Sequence, residues 1–291
     1  MPTGRAFLAS ALAVLVVGAA ACRSGGGGGA SGAAAPAAPP ATVAAAPTTV
    51  PTTIPTTTIP PTTTTPVPAT SVPPTTTTAS GSSYVIGQSV EGRPITVVER
   101  GTPGGNVVLV VGVIHGNETA GLAVVKDLET MPVPAGVHLY LVESMNPDGQ
   151  AHDTRQNARQ VDLNRNFPLR WAPLGRPGDE EYAGPAPLSE PESQAMAAFI
   201  TKIRPALSIW YHQDLNRLSP DTGAKGVLVR RYAQMTGLPI VPVTGGTYTG
   251  TATPWEEQLV KGSAALLVEL GPTLSAQQAA THADAVLALS S

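Results

Sequence analysis

Residues 84–291 predict one α/β domain, a mixed and mostly parallel sheet with helices on both faces. Three observations point there. Short runs rich in Val, Ile and Leu alternate with longer stretches of helical composition. The alternation continues along the whole region, with no block of strands followed by a block of helices. The residues with most chemistry in them, His115, His212 and Glu269, each stand at or near the end of such a run. In open α/β sheets, that edge is where sites are built.

Taken in order, strands are expected near 94–100, 106–114, 137–143, 206–212 and 264–270. Helices are expected near 119–130, 191–204, 225–236 and 274–289. Ser189 precedes Glu190-Pro191-Glu192, which reads as an N-cap followed by Pro and acids in a first turn. About 208 residues suffice for one such domain with its own core.

The rest of the chain is different material. The 291 residues are 42% hydrophobic yet include 30 Gly and 30 Pro, a mixture of core-forming and linker composition. Residues 1–22 read as an export signal: Arg5 supplies a short positive region, and Ala6–Ala21 is apolar but short for a membrane span. The stretch ends in Ala19-Ala20-Ala21-Cys22, an arrangement that resembles a bacterial lipoprotein signal with Cys22 as the lipidated residue; ordinary cleavage at the Ala run and an uncleaved anchor are the alternatives. Cys22 is the single cysteine, so no intramolecular disulfide is available. Residues 23–83, with a glycine run and then Ala/Pro and Thr/Pro repeats, read as a disordered tether spanning at most roughly 190 Å. The expected location is outside the cell, on the outer face of the cytoplasmic membrane or in the wall. A formal charge of −3 gives no basic field for nucleic acid.

The apolar run through Val110–Ile114 ends on His115, with Glu118 three residues later at a helix start. Two His and one Glu are a common zinc set in hydrolases, with a fourth position left for water. Alone, His-x-x-Glu also fits a helix-start His with a capping Glu. Further motifs decide the matter. His115-Gly-Asn-Glu118, Asn146-Pro-Asp-Gly149, Arg155-Gln-Asn157, Val161-Asp-Leu-Asn-Arg-Asn-Phe-Pro168, Ser189-Glu-Pro-Glu192, His212 and Leu267-Val-Glu-Leu270 follow in order, and Ile86–Ile95 fits with them. The series resembles the zinc carboxypeptidase family, in particular its small bacterial members acting on peptidoglycan peptides, from about Tyr84 to the C-terminus.

That resemblance implies a zinc-carboxypeptidase-like domain and a set of roles. His115, Glu118 and His212 would hold one Zn²⁺. Glu269 would be the general base that deprotonates the attacking water and returns the proton to the leaving amine. Asp162 would sit behind His115 and fix its tautomer, with Asp153 and Asp148 as lesser candidates and Asp148 more simply a turn residue. Arg155 would polarise the scissile carbonyl, and Asn164 with Arg165 would grip the substrate's terminal carboxylate. Arg159 reads as a surface residue, and Gln160 stands where relatives usually carry Gly. The family's larger members have a mobile active-site Tyr near a Gly-Gly-Ser segment; here the stretch is Gly245–Trp255, and Tyr248 could serve or simply pack. The implied activity is hydrolysis of peptidoglycan stem peptides at the γ-D-glutamyl to diamino acid bond, by a monomer. A general zinc carboxypeptidase, or a wall-binding lipoprotein with a dead site, are the competing readings.

Overall fold

The computed structural model describes residues 81–291; the export signal, the tether up to that point and Cys22 lie outside the described residues. The expected α/β architecture is found. Seven strands form one mixed sheet in the order β1-β2-β4-β3-β5-β7-β6. Its centre, β4 (Val137–Val142), β3 (Asn106–Val111), β5 (Leu207–Gln213) and β7 (Ala264–Leu270), is parallel. Both edges are antiparallel: β1 (Ser82–Gln88) and β2 (Pro94–Gly101) on one side, the two-residue β6 (Arg217–Leu218) on the other. The first strand begins two residues ahead of the expected domain start.

The central strands are buried on both faces, as parallel strands covered by helices must be. Val108, Val110, Ile209, Tyr211, Leu266 and Val268 join one core cluster, which contains residues of α1 (Gly121–Thr130), α4 (Gly223–Thr236) and α6 (Ala276–Ser290). Leu109, Val111 and Trp210 alternate into a second, with residues of α3 (Pro191–Ile203) and α5 (Ala252–Leu259). No described helix is long and apolar enough to cross a membrane.

Several local expectations need correction. The strand expected at 106–114 ends at Val111, because Gly112–Glu118 leaves the sheet to build the site. Ser189 is not the N-cap of α3. Glu190 holds that position without a side-chain cap bond, while the Ser189 hydroxyl donates to Glu190 Oε1 at 2.8 Å and accepts from Asn166 Nδ2 at 3.0 Å. Two short helices, α2 (Pro147–His152) and α5, fall where turn or loop was expected. Asp148 is no simple turn residue either. It is fully buried in α2 and accepts from Ser89 Oγ at 2.6 Å, Glu91 N at 2.9 Å and Arg93 Nη1 at 2.7 Å. These bonds tie the β1–β2 turn to α2 and hold the carboxyl below its usual range against the cost of burial.

Candidate metal centre and active site

The site lies at the C-terminal edge of the parallel strands. On adjacent strands β5 and β7, His212 and Glu269 are register partners, so their side chains leave the sheet side by side. His115 and Glu118 come from the segment between β3 and α1. That segment is held tightly: a Cβ on Gly116 would meet Gly149 C at 1.9 Å, and one on Gly121 would meet Gly112 O at 2.2 Å. Glycine at both positions lets the backbones approach closely enough to place the ligands.

His115, Glu118 and His212 each offer a ligand atom, and these atoms all lie within 4.8 Å of one another. Glu118 Oε1 is 2.8 Å from His115 Nδ1, and Oε2 is 3.1 Å from His212 Nδ1. All three are buried. Two imidazole nitrogens and one carboxylate converging in a buried cluster are the donor set of a hydrolytic zinc site. The cluster borders a cavity of about 700 Å³ that is lined by His115, Glu118, His212 and Glu269. The residues present therefore fit zinc.

The second contacts are equally ordered. Asp162 Oδ1 lies 3.0 Å from His115 Nε2, as expected of the acid that orients this ring. The same oxygen accepts from Asn164 N at 2.8 Å, which caps the 3₁₀ turn Leu163–Arg165. Burial alone would raise Asp162, but His115, Arg155 and Arg165 outweigh it and hold its carboxyl well below the usual range. Glu118 is likewise depressed: both imidazoles overcome the effect of burial. For His115, burial works against protonation, yet Asp162 and Glu118 raise its pKa. Such a negative pocket around neutralisable ligands attracts a dication, whose binding displaces the protons. Neither Asp148 nor Asp153 shares in holding His115. Asp153 is an exposed left-handed residue ending α2.

Glu269 projects beside this cluster. Burial raises its pKa, the neighbouring Glu118 adds to the rise, and the two His and Arg217 work against it. Its Oε2 is buried and makes no hydrogen bond among the described residues. A carboxylate left unpaired at the mouth of a polar cavity is poised to accept a proton.

The three expected substrate groups are present but engaged. Arg155 Nη1 stands 3.0 Å from both Glu118 Oε1 and His115 Nδ1, and its Nε and Nη2 donate to Asp162 Oδ2 at 3.2 and 2.9 Å. The guanidinium thus lines the cavity while leaning on the ligand cluster. Asn164 Oδ1 accepts from Ala252 N at 3.0 Å, and its Nδ2 is 3.4 Å from His212 Nε2. Arg165 is buried, and its Nη2 donates to Glu181 Oε1 at 2.5 Å. Glu181 was not anticipated: it sits in an irregular segment with no periodicity to announce a role. Tyr248 is exposed at the cavity rim, with its ring centroid 5.4 Å from the Arg165 guanidinium carbon.

Two sequence motifs prove to be scaffolding. Asn146 caps α2 through Gly149 N at 3.0 Å and donates to the carbonyls of Ile114 and Arg155, both at 3.2 Å. Asn157 donates to Glu190 at 2.8 Å and Glu192 at 3.1 Å and accepts from Val161 N. It closes a turn in which Gln160 takes φ +62°, the left-handed region that suits Gly. Arg159, expected at the surface, is exposed and reaches Glu190 at 3.7 Å.

Comparison with known proteins agrees with this geometry. The zinc carboxypeptidase family profile matches residues 80–219. A murein peptide amidase A from Vibrio campbellii is 30% identical over 223 residues, covering 70% of this chain and 85% of that protein. The Escherichia coli K12 murein peptide amidase A is 30% identical over 158 residues, covering 50% of this chain and 64% of its own length. Among solved structures, the murein-tripeptide amidase of Escherichia coli O157 superposes with TM-score 0.56 at 25% identity, covering 72% of this chain and 90% of that one. Carboxypeptidase A of Helicoverpa armigera, at 18% identity, shares the fold with TM-score 0.64 over 72% of this chain and 67% of its own. The chain belongs to the zinc carboxypeptidase family and is a zinc-dependent hydrolase of that family.

Proposed function

We propose that this enzyme hydrolyses peptidoglycan stem peptides, at the bond between the γ-D-glutamyl residue and the diamino acid. The observation that carries the reading is the 30% identity to a murein peptide amidase A over 85% of that protein's length. Zinc, bound by His115, Glu118 and His212, would polarise the attacking water and the scissile carbonyl. Glu269 takes the proton from that water and passes it to the leaving amine; burial makes it a stronger base than a solvated carboxylate. Asp162 keeps the His115 ring oriented. Arg155 turns from its present partners towards the carbonyl oxygen, and Arg165, beside Asn164, receives the terminal carboxylate of the leaving fragment.

The same reading places the enzyme outside the cell, tied to the membrane through a lipid on Cys22 and reaching its substrate on the tether. Cys22→Ser should release the protein from membranes in a detergent-partition assay, and unchanged partition would remove the lipid anchor from the account. The decisive experiment for function combines zinc content with turnover of a panel of stem peptides and ordinary α-linked peptides. Cleavage of L-alanyl-γ-D-glutamyl-diaminopimelate to dipeptide and free diamino acid is expected. Turnover confined to α-linked peptides would replace the reading with a general carboxypeptidase.

A further inference from the structure

Four cations line the catalytic cavity, and three of them are already partnered. Arg155 is paired with Glu118 and Asp162, Arg165 with Glu181, and Lys225 with Asp221 at 3.1 Å and Glu257 at 2.8 Å. Arg217 makes no ion pair among the described residues. Its Nη1 reaches only the Pro242 carbonyl, at 3.5 Å, and its Nε is buried with no hydrogen-bond partner there. A half-buried guanidinium left so poorly satisfied is costly unless something completes its fork.

Its position is fixed by backbone. Arg217 is the register partner of Glu269 on the antiparallel strand β6, so the two side chains stand on the same face of the sheet. The next residue, Leu218, is buried, its N–H bonds Pro239 O at 2.9 Å, and its carbonyl accepts from Val241 N at 2.8 Å. The strand is therefore sewn in on both sides and delivers Arg217 to the cavity wall next to the general base.

We propose that Arg217 is a specificity-determining residue that receives a second carboxylate, carried on the side chain of the C-terminal residue being released. The proposal rests on the peptidase reading of the same site. Arg165 takes the main-chain carboxylate of that residue and Arg217 the distal one, so the enzyme selects a C-terminal dicarboxylate. Diaminopimelate has that second carboxylate; lysine, otherwise similar in length, presents only an ammonium, which Arg217 repels. The planar fork of arginine suits a bidentate carboxylate better than a lysine would.

The test uses the zinc-loaded enzyme and two matched substrate pairs. One pair is stem tripeptides ending in meso-diaminopimelate or lysine, the other α-linked peptides ending in aminoadipate or norleucine. Wild-type enzyme should favour the acidic member of whichever pair it cleaves by about 30-fold or more in kcat/KM, mostly through KM. Arg217→Met should remove that preference while leaving kcat on the lysine or norleucine substrate within about threefold, and Arg217→Lys should restore part of it. If Arg217→Met slows acidic and neutral substrates alike, the residue acts through Glu269 or the fold and the proposal fails. It fails also if the wild type shows no acidic preference. Cleavage of the α-linked pair alone would end the peptidoglycan reading, yet Arg217 would still stand or fall by the acidic preference in that pair. Turnover of neither pair overturns both.

Discussion

On the proposed reading, the contact between Arg165 and Glu181 sets the terms on which a substrate's terminal carboxylate binds. A terminal carboxylate can use the Arg165 fork only by displacing Glu181, whose side chain is 42% exposed. A pair open to solvent on one side is worth about 1 kcal/mol or less, whereas a desolvated bidentate carboxylate on the same fork contributes about 2–4 kcal/mol. Substrate therefore wins, at a small cost in affinity. Glu181→Gln should lower KM for free-carboxylate substrates by up to about fivefold with kcat unchanged. Arg165→Ala should erase the preference for free over amidated ends, a loss of roughly 30- to 1000-fold in kcat/KM. Equal rates for free and amidated ends in the wild type would sink the clamp. The ligand cluster makes a separate prediction. His212→Ala should lose stoichiometric zinc by metal analysis, while Glu269→Gln should keep zinc and lose about 10²- to 10⁴-fold in kcat; zinc retained at wild-type affinity in His212→Ala would remove that ligand. His115, Glu118, His212 and Glu269 were all legible in sequence: the first pair drew notice where an apolar run ends, and the ligand and base roles followed from the resemblance of the ordered motifs to the zinc carboxypeptidase family. Glu181 and Arg217 were not. One lies in an irregular segment, the other on a two-residue strand, and only tertiary structure brings either to the cavity.

The elements readable in advance were those whose burial imposes a pattern. Strands at 137–142, 207–213 and 264–270 and helices at 191–203 and 276–290 fall within two residues of expectation, since a fully covered parallel strand must be apolar throughout. The missed elements are short or lie at an edge. Strand β1 is mostly exposed, and α5 begins inside the polar run Ala252-Thr-Pro-Trp-Glu-Glu-Gln-Leu259. The least conspicuous of them, the six-residue α2, does most to shape the site. Its cap, Asn146, joins the carbonyl just before His115 to the carbonyl of Arg155. Replacing such a cap costs about 1–2 kcal/mol, and here two inter-segment bonds go with it. Asn146→Ala should lower the unfolding free energy by that amount, read from denaturant curves, and weaken zinc binding by about 10-fold or more, as loss of ligand support does. A variant that loses stability but binds zinc as tightly as wild type would show that α2 braces the domain without tuning the metal.

At the scale of the whole molecule, two buried titrating groups on opposite faces of the sheet pull its pH dependence in opposite directions. Glu256 of α5 is fully buried and accepts from Trp210 Nε1 at 2.9 Å, while its other oxygen makes no hydrogen bond among the described residues. Burial pushes its pKa from 4.5 up to about 7, against the Trp210 donor and the nearby Ser208 hydroxyl and Lys225, with Glu257 adding to the rise. A carboxyl raised on folding stabilises the fold fully below its unfolded pKa, and that contribution is lost as pH rises through about 7. On the other face, His282 Nδ1 of α6 lies 2.8 Å from the Tyr232 hydroxyl, and burial pushes its pKa from 6.5 down to about 4. A histidine depressed on folding stabilises above its unfolded pKa, and that contribution is lost as pH falls through about 4. Each shift corresponds to an effect on the order of 3 kcal/mol. Between pH 4.5 and 6.5 the two slopes oppose, so neither need show in the wild-type curve alone. Single variants should unmask them. Glu256→Gln keeps an acceptor for Trp210 without the charge, so its unfolding free energy relative to wild type should climb from pH 5 to pH 8. His282→Gln should climb relative to wild type in the other direction, from pH 7 down to pH 4. Because zinc binding is itself linked to protons, both comparisons use the difference from wild type at one fixed zinc concentration, where the metal's contribution cancels. Denaturant curves for the three proteins that run parallel across this range would mean that neither buried group changes its proton affinity on folding.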